Sequence, residues 1–287
     1  MYLIIGGDSE IGSVARRRLA EAGDKVMVTT RRAGGAAGRI PLDLATPPGE
    51  WPVPPGIESA CLCAAIARLN DCAADPIGSA RINVEHSVAL VERLVARGIH
   101  VLFLSTNQVF DGNAPHTAPE TPTAPVSEYG RQKARTEAAL LALQRQGAPI
   151  GILRLAKVIS PGIALLRGWA EELSAGRPIR AFADMMMAPT PVALAAEAIE
   201  VLLRARAQGI YQLTGPQDVS YAEIGRHIAE RVGAPTSLVE PVTAASAGMP
   251  AGTTPRHSTM DSSLMAQRFG ISVPGPWPVI DAALTPY

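Results

Sequence analysis

The first half of the chain alternates short, almost continuous apolar runs with longer stretches that are apolar on one face only. Short apolar runs are typical of parallel strands buried on both faces, and apolar residues at every third or fourth position indicate helices. The runs predict strands at Tyr2–Gly6, Lys25–Thr30, Ser59–Ala64, His100–Ser105 and Gly151–Val158. The one-sided stretches predict helices at about Glu10–Ala22, Ile77–Arg97 and Ser127–Gln146. This alternation predicts an α/β fold with a doubly wound parallel sheet.

Beyond Val158 the pattern is less regular, which predicts a smaller second unit. Its predicted elements are helices at Ala164–Ala175, Val192–Ala205, Tyr221–Val232 and near Ser262–Phe269, and a strand at Gly209–Leu213. We expect residues 1–160 to form the sheet domain and residues 161–287 to form mainly a cap that shapes a substrate pocket. A part of the cap region, at about residues 186–215, is expected to return to the sheet domain.

Composition narrows the class of protein. A hydrophobic fraction of 47% over 287 residues predicts a folded protein with a large core. The 26 basic and 26 acidic residues give a formal net charge of +0, so nothing indicates a nucleic-acid or membrane-surface partner. No apolar run reaches the roughly 18 to 20 residues of a membrane helix, and the N-terminus lacks a signal-peptide pattern. A cytoplasmic protein is the simplest expectation.

The cysteines and histidines do not predict a metal site. Cys61, Cys63 and Cys72 are close in sequence but lack a zinc-binding spacing with histidines, and the five histidines are scattered. Cys61 and Cys63 fall on the same face of a predicted strand. We expect small buried core residues here, and neither a metal site nor a redox site.

The strongest chemical signal is the pair Tyr129 and Lys133, four positions apart on a predicted helix. Positions i and i+4 share a helix face, so the phenol and the ammonium can face one pocket. A neighbouring cation favours the phenolate and is expected to lower the tyrosine pKa. Such a phenol can exchange a proton with a carbonyl or alcohol oxygen during hydride transfer. The alternative is a chance pair on an exposed helix.

Further features support a redox site. Thr106 follows a buried apolar run, and the carboxyl ends of such strands are where open α/β sheets hold ligands. At the N-terminus, a strand leads into a glycine turn and then a helix, which is the arrangement that binds dinucleotide phosphates. The residues of this turn that are expected to bind a cofactor are Gly6, Ser9, Glu10, Ile11 and Gly12.

Arg31 and Arg32 follow the second predicted strand, where NAD-specific enzymes tend to place an acid for the ribose hydroxyls. No acid stands here, and two guanidinium groups can bind a 2′-phosphate. The pair therefore favours NADP(H), with NAD(H) as the other option. A solvated basic turn is the structural alternative.

Together these motifs resemble the extended short-chain dehydrogenase/reductases, and most of all the dTDP-4-dehydrorhamnose reductase family and its sugar-nucleotide relatives. The segment from Leu104 to Gly112, Leu-Ser-Thr-Asn-Gln-Val-Phe-Asp-Gly, is close to the family's Ser-Thr-Asp-x-Val-Phe-Asp-Gly stretch. The segment from Glu128 to Lys133, with Glu137, matches its catalytic helix, and Ile152-Leu153-Arg154 is similar to the strand that follows. Gly209–Pro216 and Arg256–Asp261 resemble C-terminal landmarks, so the likeness covers nearly the whole chain.

The resemblance implies a Rossmann-type fold and an NAD(P)-dependent redox step on a nucleotide-linked keto sugar. Tyr129 would be the acid, Lys133 would hold the nicotinamide ribose and lower the phenol pKa, and Thr106 would bind the reacting oxygen. The resemblance also places further residues near the cofactor, namely Asp43, Leu44, Cys63, Ala64 and Ala65. For Asp43, a plain helix cap is an alternative.

The substrate residues that the resemblance suggests are Asn83, Asn107, Trp169 and Arg256. For Trp169, core packing is the alternative. Ser9 replaces the family's middle glycine, Asn107 replaces an aspartate, and Cys63 stands where asparagine is usual. The segment Asp184–Thr190 lacks the family's glutamine and glycine before Pro-Thr. Ser9 is expected to weaken pyrophosphate binding without excluding it, because its hydroxyl can cap the helix or donate to phosphate.

We therefore predict an NADPH-dependent reductase of a nucleotide-linked keto sugar. An epimerase or dehydratase on the same scaffold would retain and recycle its cofactor. A third alternative is a regulatory subunit that binds NADP(H) without turnover, which Ser9 and Asn107 favour and which the intact set of Thr106, Tyr129 and Lys133 disfavours. A homodimer is left open, and the fold alone does not choose among these functions.

Overall fold

The computed structural model describes residues 1–32, 38–64, 66–249 and 254–284, and Ala65 therefore lies outside the described residues. In chain order the strands are β1 (Tyr2–Ile5), β2 (Val26–Thr30), β3 (Arg39–Pro41), β4 (Ser59–Leu62), β5 (His100–Thr106), β6 (Ile150–Leu155), β7 (Val158–Ile159), β8 (Ile179–Phe182), β9 (Met186–Met187), β10 (Thr190–Pro191), β11 (Gly209–Leu213), β12 (Val219–Ser220) and β13 (Val239–Val242). The α-helices are α1 (Glu10–Glu21), α2 (Leu69–Ala74), α3 (Pro76–Ala80), α4 (Ser87–Val95), α5 (Glu128–Arg145), α6 (Ala164–Ser174), α7 (Val192–Arg204), α8 (Tyr221–Arg231), α9 (Ser263–Phe269) and α10 (Pro276–Leu284).

Within the described residues, one seven-stranded sheet has the order β11-β6-β5-β4-β1-β2-β3, and all of its neighbouring strands are parallel. The order reverses direction at β1, which is the doubly wound arrangement of a Rossmann-type fold. The predicted α/β fold is thus confirmed. β3, with Pro41 at its end, is a short edge strand that the proline-rich sequence did not indicate.

Each face of the sheet carries its own apolar core. On one face, Ile4 and Leu102 pack with Leu19 of α1 and Ile199 of α7. On the other face, Leu3 and Val101 belong to the core that includes Leu90 of α4 and Leu140 of α5. Because both faces are covered, the strands read as continuous apolar runs, which is why the sequence predicted them.

A third apolar core lies in the second half of the chain. Leu166 of α6 and Ile224 of α8 pack with residues of β8, β13 and α10. In contrast, α7 packs on α1, and β11 pairs with β6 at the edge of the large sheet. Met265 of α9 and Ile271 also belong to a sheet-face core, which the sequence did not indicate. We propose that the elements around the third core form the cap.

The long helix predicted at Ile77–Arg97 is interrupted. The structure has α3, then a π-helical turn at Arg81–His86, then α4, which ends at Val95. Within the turn, Asn83 is buried and donates from Nδ2 to Gln132 Oε1 at 2.7 Å. The π-helical turn therefore carries a residue that contacts α5, and periodicity in the sequence does not reveal such a tertiary contact.

Candidate active site

A cavity of about 250 Å³ opens at the carboxyl ends of β5 and β6. Thr106, Asn107 and Tyr129 line its sheet side. Its lining also includes Met185–Met187 and Tyr221 from the second half of the chain. Ligands of open α/β sheets bind outside the carboxyl ends of the strands, so this cavity is the candidate active site.

A second cavity, of about 330 Å³, lies beside α9 and is lined by His116, Thr214 and Asp261 among others. None of the site residues predicted from the sequence lines this second cavity. We therefore assign the chemistry to the cavity at the ends of β5 and β6, which Thr106 and Tyr129 line.

The start of α5 fixes the position of Tyr129. Ser127 caps the helix, and its Oγ accepts a hydrogen bond of 3.0 Å from the Gly130 amide. The helix start lies close to the segment after β5, because a Cβ on Gly130 would lie 2.1 Å from the carbonyl oxygen of Gln108. Tyr129 therefore sits in the first turn of α5 and beside the cavity.

Lys133 is one turn further along α5 and is 3% exposed. Its Nζ donates to the carbonyl oxygen of Leu104 at 2.8 Å and lies 4.3 Å from the centre of the Phe103 ring. The same Nζ is 6.0 Å from the centre of the Tyr129 ring. The predicted sharing of one helix face by the two side chains is thus seen in the structure.

The pKa values correct one expectation from the sequence. Burial raises the pKa of Tyr129, so the proximity of Lys133 does not lower it in this state. Burial also lowers the pKa of Lys133 to about 8, although Glu137 acts in the opposite direction. For both groups, loss of surrounding water is the largest cause of the pKa shift. Tyr129 is consequently a protonated phenol near neutral pH.

Thr106 ends β5 and caps a short 3₁₀ turn at Asn107–Val109. Its Oγ1 accepts a hydrogen bond of 3.2 Å from the Gln108 amide and donates to Asn107 Oδ1 at 3.4 Å. The long donor distance marks a weak bond, so the hydroxyl can turn to a ligand in the cavity at small cost.

The turn between β1 and α1 is tightly built. Gly6 has a φ of +83°, which favours glycine. A Cβ on Gly12 would lie 2.5 Å from the carbonyl oxygen of Gly6, and a Cβ on Gly7 would lie 2.5 Å from Cβ of Val28. These close approaches require glycine and bring the helix start against the sheet.

Ser9 is the N-cap of α1. Its Oγ donates to the carbonyl oxygen of Gly6 at 2.7 Å and accepts from the Gly12 amide at 3.1 Å. Of the two roles that the sequence left open, the structure therefore has the helix cap. Glu10 is exposed, whereas Ile11 packs against the core on that face of the sheet.

Arg31 and Arg32 are exposed directly after β2. Within the described part of the chain, neither guanidinium lies within ion-pair distance of a carboxylate. Nearby, the Asp8 carboxylate accepts hydrogen bonds from Thr30 Oγ1 and from Arg39 Nη1, both at 2.5 Å. The bond from Thr30, followed by that from Arg39, lowers the pKa of Asp8. Asp8 is thus ionised and paired with Arg39.

The remaining predicted cofactor residues follow β3 and β4. Ala64 touches the glycine turn, since a Cβ on Gly6 would lie 2.9 Å from the Ala64 nitrogen. Cys63 is half-buried, and its amide donates to the carbonyl oxygen of Ile5 at 2.9 Å. Asp43 is exposed and caps a local turn by accepting from the Ala45 amide.

The structure does not place three of the four suggested substrate residues on the cavity. Asn83 Oδ1 accepts from the Ile66 amide, and Asn83 Nδ2 donates to the carbonyl oxygen of Ile66 and to Gln132 Oε1. Trp169 does not line the cavity, but its ring meets that of Tyr221, which does, edge to face with centres 6.3 Å apart. Arg256 is exposed and does not line the cavity.

The cavity also includes Gln108, Lys157 and Ser258, which the sequence did not indicate. From the second half of the chain it includes Met185, Met186, Met187 and Tyr221. Lys157 follows β6, so the rule that ligands bind at carboxyl ends of strands would have indicated it. Met185–Met187 reach the cavity through the packing of the second half of the chain, which periodicity in the sequence does not reveal.

Other classes of site find no support in the described ranges. No group of three or more His, Cys, Asp or Glu side chains there is arranged to hold a metal ion. Among the same residues, no helix has both the length and the apolar character needed to cross a lipid bilayer.

The sheet order, the glycine turn and the Tyr-x-x-x-Lys helix are those of the extended short-chain dehydrogenase/reductases, and the chain is an NAD(P)-dependent oxidoreductase of this class. The family model of the RmlD substrate binding domain matches residues 1–282. The chain therefore belongs to that family, and the resemblance noted from the sequence is confirmed.

Individual relatives agree with this membership. A Streptomyces antibioticus protein named as a probable dTDP-4,6-dihydroxy-2-methyloxan-3-one 4-ketoreductase is 30% identical over 259 residues, which cover 87% of this chain and 83% of that protein. A hypothetical dTDP-4-dehydrorhamnose reductase from Sulfolobus tokodaii is similar in structure, with a TM-score of 0.81, 23% identity and 98% coverage of both chains. MoeE5 in complex with UDP-glucose and NAD has a TM-score of 0.82, 20% identity and coverage of 99% of this chain and 97% of its own.

Proposed function

We propose that the protein reduces the keto group of a nucleotide-linked sugar, with NADPH as the preferred hydride donor and NADH as the alternative. The observation that carries this proposal is that Thr106 and Tyr129 line one cavity, with Lys133 beside Tyr129. The names of the relatives support the substrate class, because one is a ketoreductase of a dTDP-linked sugar and another was solved with UDP-glucose.

The turn after β1 fits a dinucleotide pyrophosphate. There is no room for a Cβ at Gly6 or Gly12. Such a turn without side chains is what lets the backbone approach a phosphate closely. The first backbone amides of a helix have no hydrogen-bond acceptor within the helix and can donate to a phosphate. In α1 these are the amides of Glu10 and Ile11. We assign Ser9 the helix cap within this loop, and Leu44, Cys63 and Ala64 the walls around the dinucleotide.

The preference for NADPH rests on charge after β2. Arg31 and Arg32 are exposed and available to bind a 2′-phosphate. The Asp8 carboxylate would repel such a phosphate, but Arg39 balances its charge. The arrangement thus offers two guanidinium groups beside an ion pair that is close to neutral overall.

Proton transfer is assigned to the residues of α5 and β5. A bound nicotinamide supplies the hydride that adds to the keto carbon. Tyr129 donates its phenolic proton to the keto oxygen, and the raised pKa of the phenol keeps that proton in place beforehand. The Thr106 hydroxyl binds the same oxygen, and the Lys133 ammonium stabilises the phenolate that forms. Lys133 is also assigned to the nicotinamide ribose.

The sugar is assigned to the part of the cavity between Asn107 and the side chains of Met185–Met187. Met185 and Met186 present flexible apolar groups, which suit a ring face that carries few hydroxyls. Trp169 acts through Tyr221, whose ring it supports.

The test is NADPH oxidation with a panel of nucleotide-linked keto sugars, using the full chain and its Tyr129→Phe variant. Turnover by the parent with a stoichiometric loss of NADPH supports a reductase. Product formation without net loss of NADPH would instead indicate an epimerase or dehydratase. Tight NADPH binding without turnover of any keto sugar would indicate a regulatory binder.

A further inference from the structure

We propose that Cys61 and Cys63 form a dithiol at the edge of the dinucleotide site, and that hydroperoxides oxidise it to an intrachain disulfide. The Sγ atoms of the two cysteines are 3.4 Å apart. Alternate residues of an extended strand are about 6.6 Å apart along the backbone, so both side chains must lean toward each other to reach this distance. The inference concerns a modification site, which the sequence had not led us to expect.

The backbone geometry permits the bond. Disulfides join residues whose Cα atoms are roughly 4.4 to 6.8 Å apart, and the spacing of alternate strand residues lies within this range. Cys61 is inside β4, whereas Cys63 lies just beyond the end of that strand at Leu62. The chain at Cys63 can therefore bend as the sulfur atoms approach by about 1.4 Å.

The two thiols have different access to solvent, which sets the order of the reaction. Cys61 is 0% exposed, whereas Cys63 is half-buried and lies beside the glycine turn. A small oxidant therefore reaches Cys63 first. Burial raises the pKa of the Cys61 thiol, although the Lys133 ammonium acts in the opposite direction, so Cys61 is the thiol that reacts second.

The chemistry balances with a hydroperoxide as the oxidant. The Cys63 thiolate attacks the terminal peroxide oxygen, the O–O bond breaks, and Cys63 becomes a sulfenic acid while water or an alcohol leaves. The Cys61 sulfur then attacks the Cys63 sulfur. The S–O bond breaks, the hydroxide leaves with the Cys61 proton as water, and the S–S bond forms. Two thiols lose two electrons, and the peroxide gains them.

The disulfide has a structural consequence for the phosphate turn. The Cys63 amide, directly after β4, donates to the carbonyl oxygen of Ile5 at the end of β1. The next residue, Ala64, is packed against Gly6 without spare room. Contraction of the strand end therefore displaces Ala64 relative to the turn. We expect weaker dinucleotide binding, and this step rests on the proposed function.

Cys72 provides the matched control. It is buried and its Sγ donates to the carbonyl oxygen of Ile66 at 3.3 Å, while the Asn83 amide donates to it at 3.7 Å. Its sulfur has its own partners and is not part of the pair. Cys72→Ala should therefore leave the reaction between Cys61 and Cys63 intact.

The experiment treats the reduced full chain with hydrogen peroxide and measures peptide masses, followed by NADPH titration. In the parent and in Cys72→Ala, we expect the peptide that contains Cys61 and Cys63 to lose two hydrogens. In Cys61→Ala this loss should not occur, and a sulfenic-acid probe should label Cys63 instead. NADPH dissociation constants of the oxidised parent should rise by about tenfold and recover with a reductant. Prior saturation with NADPH should slow the oxidation.

The outcomes separate this inference from the proposed function. If the parent keeps both thiol hydrogens of Cys61 and Cys63 while free cysteine in the same solution is oxidised, the proposed dithiol site is wrong. A disulfide that forms and leaves NADPH affinity unchanged overturns its coupling to the turn. Failure of the reduced parent to bind NADPH counts against the proposed function alone, because the mass measurement decides the dithiol site without any cofactor.

Discussion

Glu137 and Arg154 form a buried ion pair, with Arg154 Nη2 and Glu137 Oε2 2.7 Å apart and each side chain 2% exposed. The pair joins α5 to β6. Arg154 also donates to the carbonyl oxygen of Pro119, in the loop between β5 and α5, and to Gln212 of β11. The helix that carries Tyr129 is thus tied to the loop beside the site through one guanidinium.

Removal of one partner should be costly. Glu137→Ala leaves a buried guanidinium without its countercharge, and we expect the free energy of unfolding to fall by about 3–5 kcal/mol. Urea denaturation of the parent, the single variant and the pair Glu137→Met with Arg154→Met would measure this. The double variant should recover much of the loss, since two apolar side chains replace two charges. A single variant as stable as the parent would mean that the ion pair contributes nothing.

Replacement of Tyr129 by Phe tests the acid. The change removes one hydroxyl and keeps the ring, so the fold and NADPH binding should survive. Turnover should fall by about 10²- to 10⁴-fold, as is typical of a lost general acid. Tyr2→Phe is a control, because Tyr2 begins β1 at the opposite end of the strand from the glycine turn. Unchanged turnover in Tyr129→Phe would exclude this residue as the acid.

The pH dependence of turnover should report Lys133. Its pKa is lowered to about 8, so the ammonium is present below this pH and is lost as the pH rises through it. The kcat/KM of the parent should therefore decline above about pH 8. In Lys133→Arg the charge persists to much higher pH, since arginine stays protonated in proteins, and the decline should disappear. A parent profile that is flat up to about pH 10 would contradict the assigned role of the ammonium.

Much of the sheet and the central helix could be predicted, because their signals are local. Buried parallel strands read as apolar runs, Ser127 marks the start of α5, and the spacing of Tyr129 and Lys133 is a property of one helix. The pKa of Tyr129 could not be predicted in the same way. It depends on how completely the packed structure removes water from the phenol, and the neighbouring lysine alone gave the wrong direction.

Contacts between segments that are distant in the sequence could not be predicted either. Asp8 and Arg39 are 31 positions apart, and only the pairing of β3 with β2 brings them together. Met185–Met187 have no spacing that separates a pocket wall from a core. Their place depends on short strands such as β9 and β12, whose two-residue pairing leaves almost no pattern in the sequence.

Cofactor preference should follow the charges after β2. We expect NADPH to bind more tightly than NADH, and the difference to shrink when Arg31 and Arg32 are both changed to Ala, because an arginine–phosphate contact is charge-assisted. Arg39→Ala exposes the Asp8 charge and should weaken NADPH binding more than NADH binding. Asp8→Asn should do the reverse. Calorimetric titration of both cofactors into each variant is the measurement, and equal affinities in the parent would refute the preference.

Ser9 allows a last test of whether a dinucleotide lies on the turn after β1. Ser9→Gly removes the cap, which costs only a few tenths of a kcal/mol relative to serine, and cofactor affinity should stay the same or rise. Ser9→Ala loses about 1 kcal/mol of stability through the missing cap but adds no bulk, so NADPH should still bind. Ser9→Leu loses the same cap and places a large side chain in the turn, where it should block binding in a protein that remains folded. Because the alanine variant matches the loss of the cap, a difference between alanine and leucine isolates the steric effect. NADPH binding by the leucine variant with the affinity of the alanine variant would mean that the pyrophosphate lies elsewhere.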